Sequence, residues 1–231
     1  QFISPLSNKR KDQYGGRAEN RVRFPARVLA AVKQAVGNDL AVIAKINVAD
    51  GVRGGATAED GCITAQALEA AGADMLVLSG GRNIESTWFM FGSNVNLEEM
   101  KKVLKGQWLT GLMMKASSIT APKIDFKPMY FWQQSTKIRA ASKVPMAYLG
   151  GARSIDGVQQ ALDAGFECVV MARPLIHDTG LVNKFKSGEL TESGCTNCNA
   201  CVAYIYHTDG TRCVLNPPND PSLNHIPASA K

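Results

Sequence analysis

Leu40-Ala-Val-Ile-Ala-Lys-Ile46 is an apolar run broken by a single lysine near its end. An apolar stretch of this length, without polar alternation, predicts a strand of a parallel sheet covered on both faces. The same signature returns three times further on, at Asp74-Met-Leu-Val-Leu-Ser79, Val144–Leu149 and Cys168–Ala172. The second and third runs end in Gly80-Gly81 and Gly150-Gly151, and the fourth in Arg173-Pro174. Helical patterns alternate with them. Val22, Val28, Leu29, Val32 and Val36 recur at helical spacing from Asn20 to a C-cap at Gly37, with Pro25 in the early turns where proline is tolerated. Thr57-Ala-Glu-Asp60 reads as a capping box opening a helix that runs to Ala71-Gly72. Ser154 caps a helix ending at Ala164-Gly165, and further helical stretches are predicted near 97–105, 130–142 and 179–187. Strands and helices in strict alternation imply right-handed βαβ units. Four strands cannot close a barrel, which needs eight. No GxGxxG follows any of the strands, and Gly51-Val-Arg-Gly-Gly55 does not fit that pattern, so a doubly wound dinucleotide fold is the weaker reading.

The bulk composition narrows the class. The chain has 231 residues, 45% hydrophobic and 20% charged, ordinary for a globular domain with a real core. No apolar run approaches the roughly 20 residues of a membrane span, so no membrane partner is expected. The net charge is +6, but the basic residues are dispersed and no aromatic-and-basic module accompanies them, which argues against nucleic acid. The chain opens on Gln1 with no leader-like segment, so it is expected to start elsewhere than translation does and to be cytoplasmic. Cys62 and Cys168 stand alone in apolar surroundings and are expected to be small buried side chains. Residues 1–18 lack periodicity and read as loop, whereas Trp88, Phe89, Phe91, Trp108 and Trp132 mark the long segment after the second strand as packed structure.

Two strand ends suit a phosphate, which needs converging backbone N–H groups, little side-chain bulk and a positive charge. Gly150 and Gly151 allow close backbone approach, and Ala172-Arg173 adds amides and a guanidinium fork. The plainer alternative is that the glycines merely turn the chain and Arg173 sits in a salt bridge. Lys45 must meet an anionic or electron-rich partner at its strand end, or else snorkel to solvent. Cys195-x2-Cys198-x2-Cys201-x11-Cys213 places four thiols where short loops can return them to one metal. A four-iron cluster, a zinc ion and free thiols all remain open, since spacing alone does not identify a metal.

The opening stretch, Gln1-Phe-Ile-Ser-Pro-Leu-Ser-Asn-Lys-Arg-Lys-Asp-Gln-Tyr-Gly-Gly16 followed by Glu19-Asn20-Arg21 and Arg23-Phe24, resembles the signature of the Old Yellow Enzyme family of NAD(P)H:flavin oxidoreductases. The resemblance extends through Ala44-Lys-Ile-Asn47, Leu78-Ser-Gly-Gly81, Tyr148-Leu-Gly-Gly151 and Met171-Ala-Arg-Pro174. It implies an α/β fold, the C-terminal half (strands 5 to 8) of a (β/α)8 TIM barrel. Residues 1–190 would form that half and residues 191–231 a Cys-rich extension. It also implies FMN as cofactor, NAD(P)H as reductant, and reduction of activated C=C bonds in a small-molecule substrate such as an enone or quinone. By position, Lys45 would lie beside the flavin pyrimidine, and Gly150, Gly151, Ala172 and Arg173 would hold the FMN phosphate. Many family members have glycine where Ala172 stands, a change that keeps the backbone donor. The cysteine quartet resembles the cluster motif of the branch containing dienoyl-CoA reductases. The family's His-x-x-His/Asn pair and proton-donating tyrosine have no counterpart here, so the expected partner is the missing N-terminal half of the barrel. The competing reading is a cluster- or zinc-binding half-barrel serving as a structural or assembly module without its own activity.

Overall fold

The computed structural model describes residues 1–104, 122–206 and 210–216. The chain divides into two compact units, one comprising Gln1–Gly92 with Ile124–Met171 and the other Ser93–Lys123 with Ala172–Lys231. The Cys-rich segment thus shares its unit with residues from the middle of the chain. The expectation for Trp108 lies outside the described residues.

The first unit is a four-stranded parallel sheet with helices. Its strands are β1 (Ile43–Asn47), β2 (Met75–Ser79), β3 (Met146–Leu149) and β4 (Cys168–Val170), hydrogen-bonded in the order β1-β2-β3-β4. All four predicted strands are present, each shorter than its apolar run. Leu40, for example, sits in the turn before β1 and is 63% exposed. The helices are α1 (Ala18–Arg21), α2 (Arg23–Val36), α3 (Ala58–Ala70), α4 (Thr87–Phe91), α6 (Trp132–Ala141) and α7 (Ile155–Asp163), with α5 (Leu97–Val103) belonging to the second unit. The caps are as the sequence predicts. Gly37 closes α2 at φ 59°, the Asp60 carboxylate accepts from the Thr57 N–H at 3.0 Å, and Ser154 Oγ accepts from Gly157 N–H at 3.1 Å.

Side chains alternate across a strand, so each sheet face is legible from the register. Ile46, Val48, Leu76, Leu78, Met146 and Tyr148 join Leu29, Ala65, Leu68, Ile138 and Ala161 of the helices in one buried cluster. The opposite face carries Ile43, Lys45 and Asn47 opposite Met75, Val77 and Ser79, and then Ala147 opposite Cys168. This face is open at its β1 and β4 positions, whereas Ser79 and Ala147 on it are buried. Ile43 is 56% exposed, and Lys45, Asn47 and Cys168 are exposed as well. Two expectations need correcting here. β1 is covered on one face and not on both, and Cys168 is not a buried side chain, because its position faces away from the helical layer. The helical stripe of α2 is also only partly buried: Leu29 is 6% exposed, but Val28 and Val32 are 47% and 45% exposed.

The opening stretch folds on itself. Asn8 Nδ2 donates to the Phe2 and Tyr14 carbonyls, both at 2.7 Å. A Cβ at Gly15 would lie 2.1 Å from the Arg10 carbonyl oxygen, so only glycine fits there. Arg21, 6% exposed, donates to the Ile3 and Gly16 carbonyls and pairs with Asp60 at 2.8 Å. The characteristic residues of this segment are spent on fixing an irregular loop and fastening it to α3.

The second unit contains α5 (Leu97–Val103), α8 (Arg173–His177), α9 (Leu181–Ser187), α10 (Ala200–Ala203) and a 3-10 turn at Tyr204–Tyr206. The helix that the sequence predicts near 179–187 is α9, and α8 is an additional short helix that begins directly at Arg173. Its first residues include Pro174, well placed because a first-turn N–H has no intrahelical partner.

Candidate flavin and thiol sites

In a parallel sheet, ligands gather at the carboxyl ends of the strands. In the first unit that end is built from the segments after β1, β2 and β3. Lys45 projects from β1 onto the open face, exposed, with Val77 of β2 as its partner in register. Asn47, two residues on and on the same face, donates to the Gly81 carbonyl at 3.0 Å and ties the end of β1 to the double glycine after β2. Asn47 Nδ2 also donates at 3.3 Å to Asp50, a residue 1% exposed whose carboxylate accepts from Ser4 Oγ at 2.6 Å and from the Ala56 N–H at 2.8 Å. Arg82 completes the platform by donating to Ser4 Oγ and Ser7 Oγ, each at 2.9 Å, and pairing with Glu85 at 2.7 Å. Ser4, Asp50 and Arg82 were not identifiable from sequence as one group, because each is an ordinary loop residue until the fold brings the three loops together.

After β3, Gly150 and Gly151 adopt φ 151° and 83°, values that exclude side chains on conformational grounds alone. Space is closed too. A Cβ at Gly151 would meet the Tyr130 ring at 2.7 Å, and one at Gly150 would meet Phe131 Cβ at 2.9 Å. The result is bare backbone at a strand end, which fits a phosphate group held by main-chain contacts. Tyr148 lies deep in the core, packed against Trp132 and Phe166, and its hydroxyl donates to the Gly150 carbonyl at 3.0 Å. Burial pushes its phenol well above the ordinary value. Such a group is a neutral structural donor, not a proton source.

The second unit carries Ala172, Arg173 and the four cysteines. Arg173 donates from one guanidinium nitrogen to Asn199 Oδ1. Four residues on, one helical turn along α8, His177 Nδ1 lies 3.3 Å from Cys213 Sγ. The cysteine loop reverses direction through two left-handed residues, Asn197 at φ 57° and Asn199 at φ 58°, a conformation that asparagine tolerates better than most residues. Cys195 is buried, Cys198 exposed, and Cys201 and Cys213 intermediate. Burial pushes the Cys201 thiol up to about 11, with Cys195, Cys198 and Cys213 adding to the rise and Arg173 opposing it. The quartet therefore shares one electrostatic neighbourhood. Among the described residues, though, no three or more His, Cys, Asp and Glu side chains are arranged to hold a metal ion. Asn199 and His177 are the residues that sequence reasoning missed. The available signals were an asparagine between two cysteines and a histidine four residues after the phosphate-site arginine.

Comparison with known proteins gives the family and the fold. The profile of the NADH:flavin oxidoreductase / NADH oxidase family matches residues 1–125, and the chain belongs to that family. It is 39% identical over 219 residues to the 4,4'-dithiodibutanoate disulfide reductase of Rhodococcus erythropolis, covering 93% of this chain and 53% of that protein. It is 28% identical over 221 residues to the NADH oxidase of Thermoanaerobacter brockii, covering 94% of this chain and 29% of that one. Among solved structures, 2-naphthoyl-CoA reductase matches with a TM-score of 0.63 at 26% identity, over 94% of this chain and 29% of the other. Morphinone reductase matches in fold, with a TM-score of 0.53 at 20% identity, over 83% of this chain and 41% of the other. The chain thus spans about half the length, or less, of these relatives. The α/β fold is that of half a flavoenzyme TIM barrel, and FMN and NAD(P)H are the cofactors typical of the family. Among the described residues, no helix is long and apolar enough to cross a membrane.

Proposed function

We propose that this chain is the C-terminal part of an FMN-dependent NAD(P)H oxidoreductase that reduces activated C=C bonds in small molecules, with enones and quinones as the leading substrates. The observation that carries the reading is the family match together with an open sheet face that presents Lys45 near the carboxyl ends of the strands. Bound FMN supplies hydride transfer between nicotinamide and substrate. The residues of this chain provide the setting. Gly150 and Gly151 offer backbone to the phosphate, and Ala172 and Arg173 offer an amide and a guanidinium. Lys45 places a fixed positive charge where negative charge develops on reduction, which lowers the barrier without reorganisation. The proton for the second carbon must come from a positioned acid. Tyr148 is unsuited to that task, so the donor is assigned to the remainder of the protein, which also covers the open sheet face.

A second substrate class is favoured by one observation. The relative at 39% identity is named for reducing a disulfide, another small electrophile that accepts two electrons. The full-length protein, assayed for NADH and NADPH oxidation with cyclohexenone, a benzoquinone and 4,4'-dithiodibutanoate, separates the two. Turnover of the alkene or quinone supports the first class, and turnover of the disulfide alone replaces it with the second. A colourless protein without flavin would overturn both. Lys45→Ala is expected to slow flavin reduction by about tenfold or more while leaving flavin content intact. We further propose that Cys195, Cys198, Cys201 and Cys213 hold a metal, a reading that rests on the spacing of the four thiols. Iron and zinc analysis of anaerobically purified protein tests this, with about four irons per chain expected for a cluster.

A further inference from the structure

Asn199 stands between Cys198 and Cys201, yet it is 1% exposed and held on every side. Its Nδ2 donates to the Ser93 carbonyl at 3.2 Å, to Ser93 Oγ at 2.9 Å and to the Asn94 carbonyl at 3.0 Å. With the amide nitrogen committed there, Oδ1 can face only one way, and it receives the Arg173 guanidinium. An amide fixed at both ends is a rigid acceptor. A buried network of this kind orients its members more strongly than any one bond would.

An arginine has many rotamers, and ordering it for a ligand costs conformational entropy unless the protein has ordered it beforehand. The guanidinium is a planar fork with five N–H donors, more than the bond to Asn199 uses, and its geometry suits a phosphate. We propose that Asn199 is the positioning residue for Arg173. It pre-orders the guanidinium for the FMN phosphate, and so makes the cysteine loop part of the nucleotide grip. The inference rests on the reading of Arg173 as a phosphate partner. A second contact points the same way. His177, one turn along α8, meets Cys213, and Asn216 Nδ2 donates to the His177 carbonyl at 2.8 Å. Helix α8 is therefore fastened at both its ends to the cysteine-bearing segments.

The test compares dissociation constants of FMN and riboflavin for the full-length flavoprotein, measured by flavin fluorescence. Riboflavin lacks the phosphate, so the ratio of the two affinities isolates the contribution of Arg173. Asn199→Gly removes the side chain and keeps the left-handed backbone accessible. It should weaken FMN about tenfold, as expected for loss of a charge-assisted contact, and leave riboflavin unchanged. Adding it to Arg173→Ala should cause no further loss, since both act through one contact. Where the glycine variant fails to fold, Asn199→Ser reads the same ratio. FMN and riboflavin weakening together would overturn the proposal by making Asn199 merely structural. An unchanged ratio in Asn199→Gly, with the ratio lost in Arg173→Ala, would overturn it alone. An unchanged ratio in Arg173→Ala would remove the phosphate reading itself, and the inference with it.

Discussion

Lys45 and Tyr148 show how differently two polar residues within parallel strands can be used. Lys45 breaks an apolar run and sits exposed on the open face. Tyr148 occupies the alternate face of β3 and is fully buried. Sequence flags the lysine, because a charge in a strand needs a reason, but it cannot separate a working tyrosine from a core one. The register does, since β3 directs Tyr148 into the helical layer. Tyr148→Phe should therefore cost about 1 kcal/mol of stability, the net worth of one buried neutral hydrogen bond. It should leave kcat and its pH profile unchanged, measured by denaturant unfolding and steady-state assays side by side. The candidate phosphate residues were legible because bare glycine and arginine at strand ends state their chemistry locally. Asn199 was not, because its meaning depends on Ser93 and Asn94, more than a hundred positions away.

At the level of elements, the packing of α3 against its neighbours yields two predictions with opposite logic. Gly61 lies inside α3, where glycine to alanine ordinarily adds up to about 1 kcal/mol of helix propensity. Here the added Cβ would lie 2.6 Å from Ile138 Cδ1 on α6 and 3.2 Å from the Val48 carbonyl. Ile138 is fully buried and cannot swing aside. Overpacking costs about 1–3 kcal/mol, so Gly61→Ala should destabilise despite its better propensity, read as a lowered Tm. The other end of α3 is sensitive to acid. Glu69 accepts from Ser142 Oγ at 2.6 Å and from the Lys143 N–H at 3.1 Å. These bonds hold its carboxyl below the ordinary value of 4.5. A folded value below the unfolded one means the stabilisation is present above about pH 4.5 and fades as the pH falls through the folded value. Glu69→Gln should make the acid side of the stability–pH curve shallower and leave its shape at neutral pH unchanged. The four strands and the caps of α2, α3 and α7 were readable because period and cap chemistry are local. The short helices α4 and α8 were not, since five residues carry too little periodicity to register against a loop background.

For the molecule as a whole, the open sheet face is the feature that separates a half from a complete barrel. Cys168 reports on it directly, being exposed on that face beside Ala147. If the remainder of the protein covers the face, as proposed, Cys168 should react slowly with a thiol reagent in the full-length protein. It should react quickly in the 231-residue chain, with Cys198 as an exposed internal reference in metal-free samples. Fast labelling of Cys168 in the full-length protein would count against a closed barrel. The one-sided burial was not readable from Leu40–Ile46, because a strand destined for coverage on both faces has the same composition whether or not its second covering lies in the same stretch of chain. The strand order has a further consequence for how such a chain is made. Because β1, β2, β3 and β4 are neighbours in the sheet in the order in which they leave the ribosome, each emerging strand finds its pairing template already synthesised. Within this stretch, translation can therefore lay down the sheet one βα unit at a time, and only closure of the proposed barrel would wait for β4.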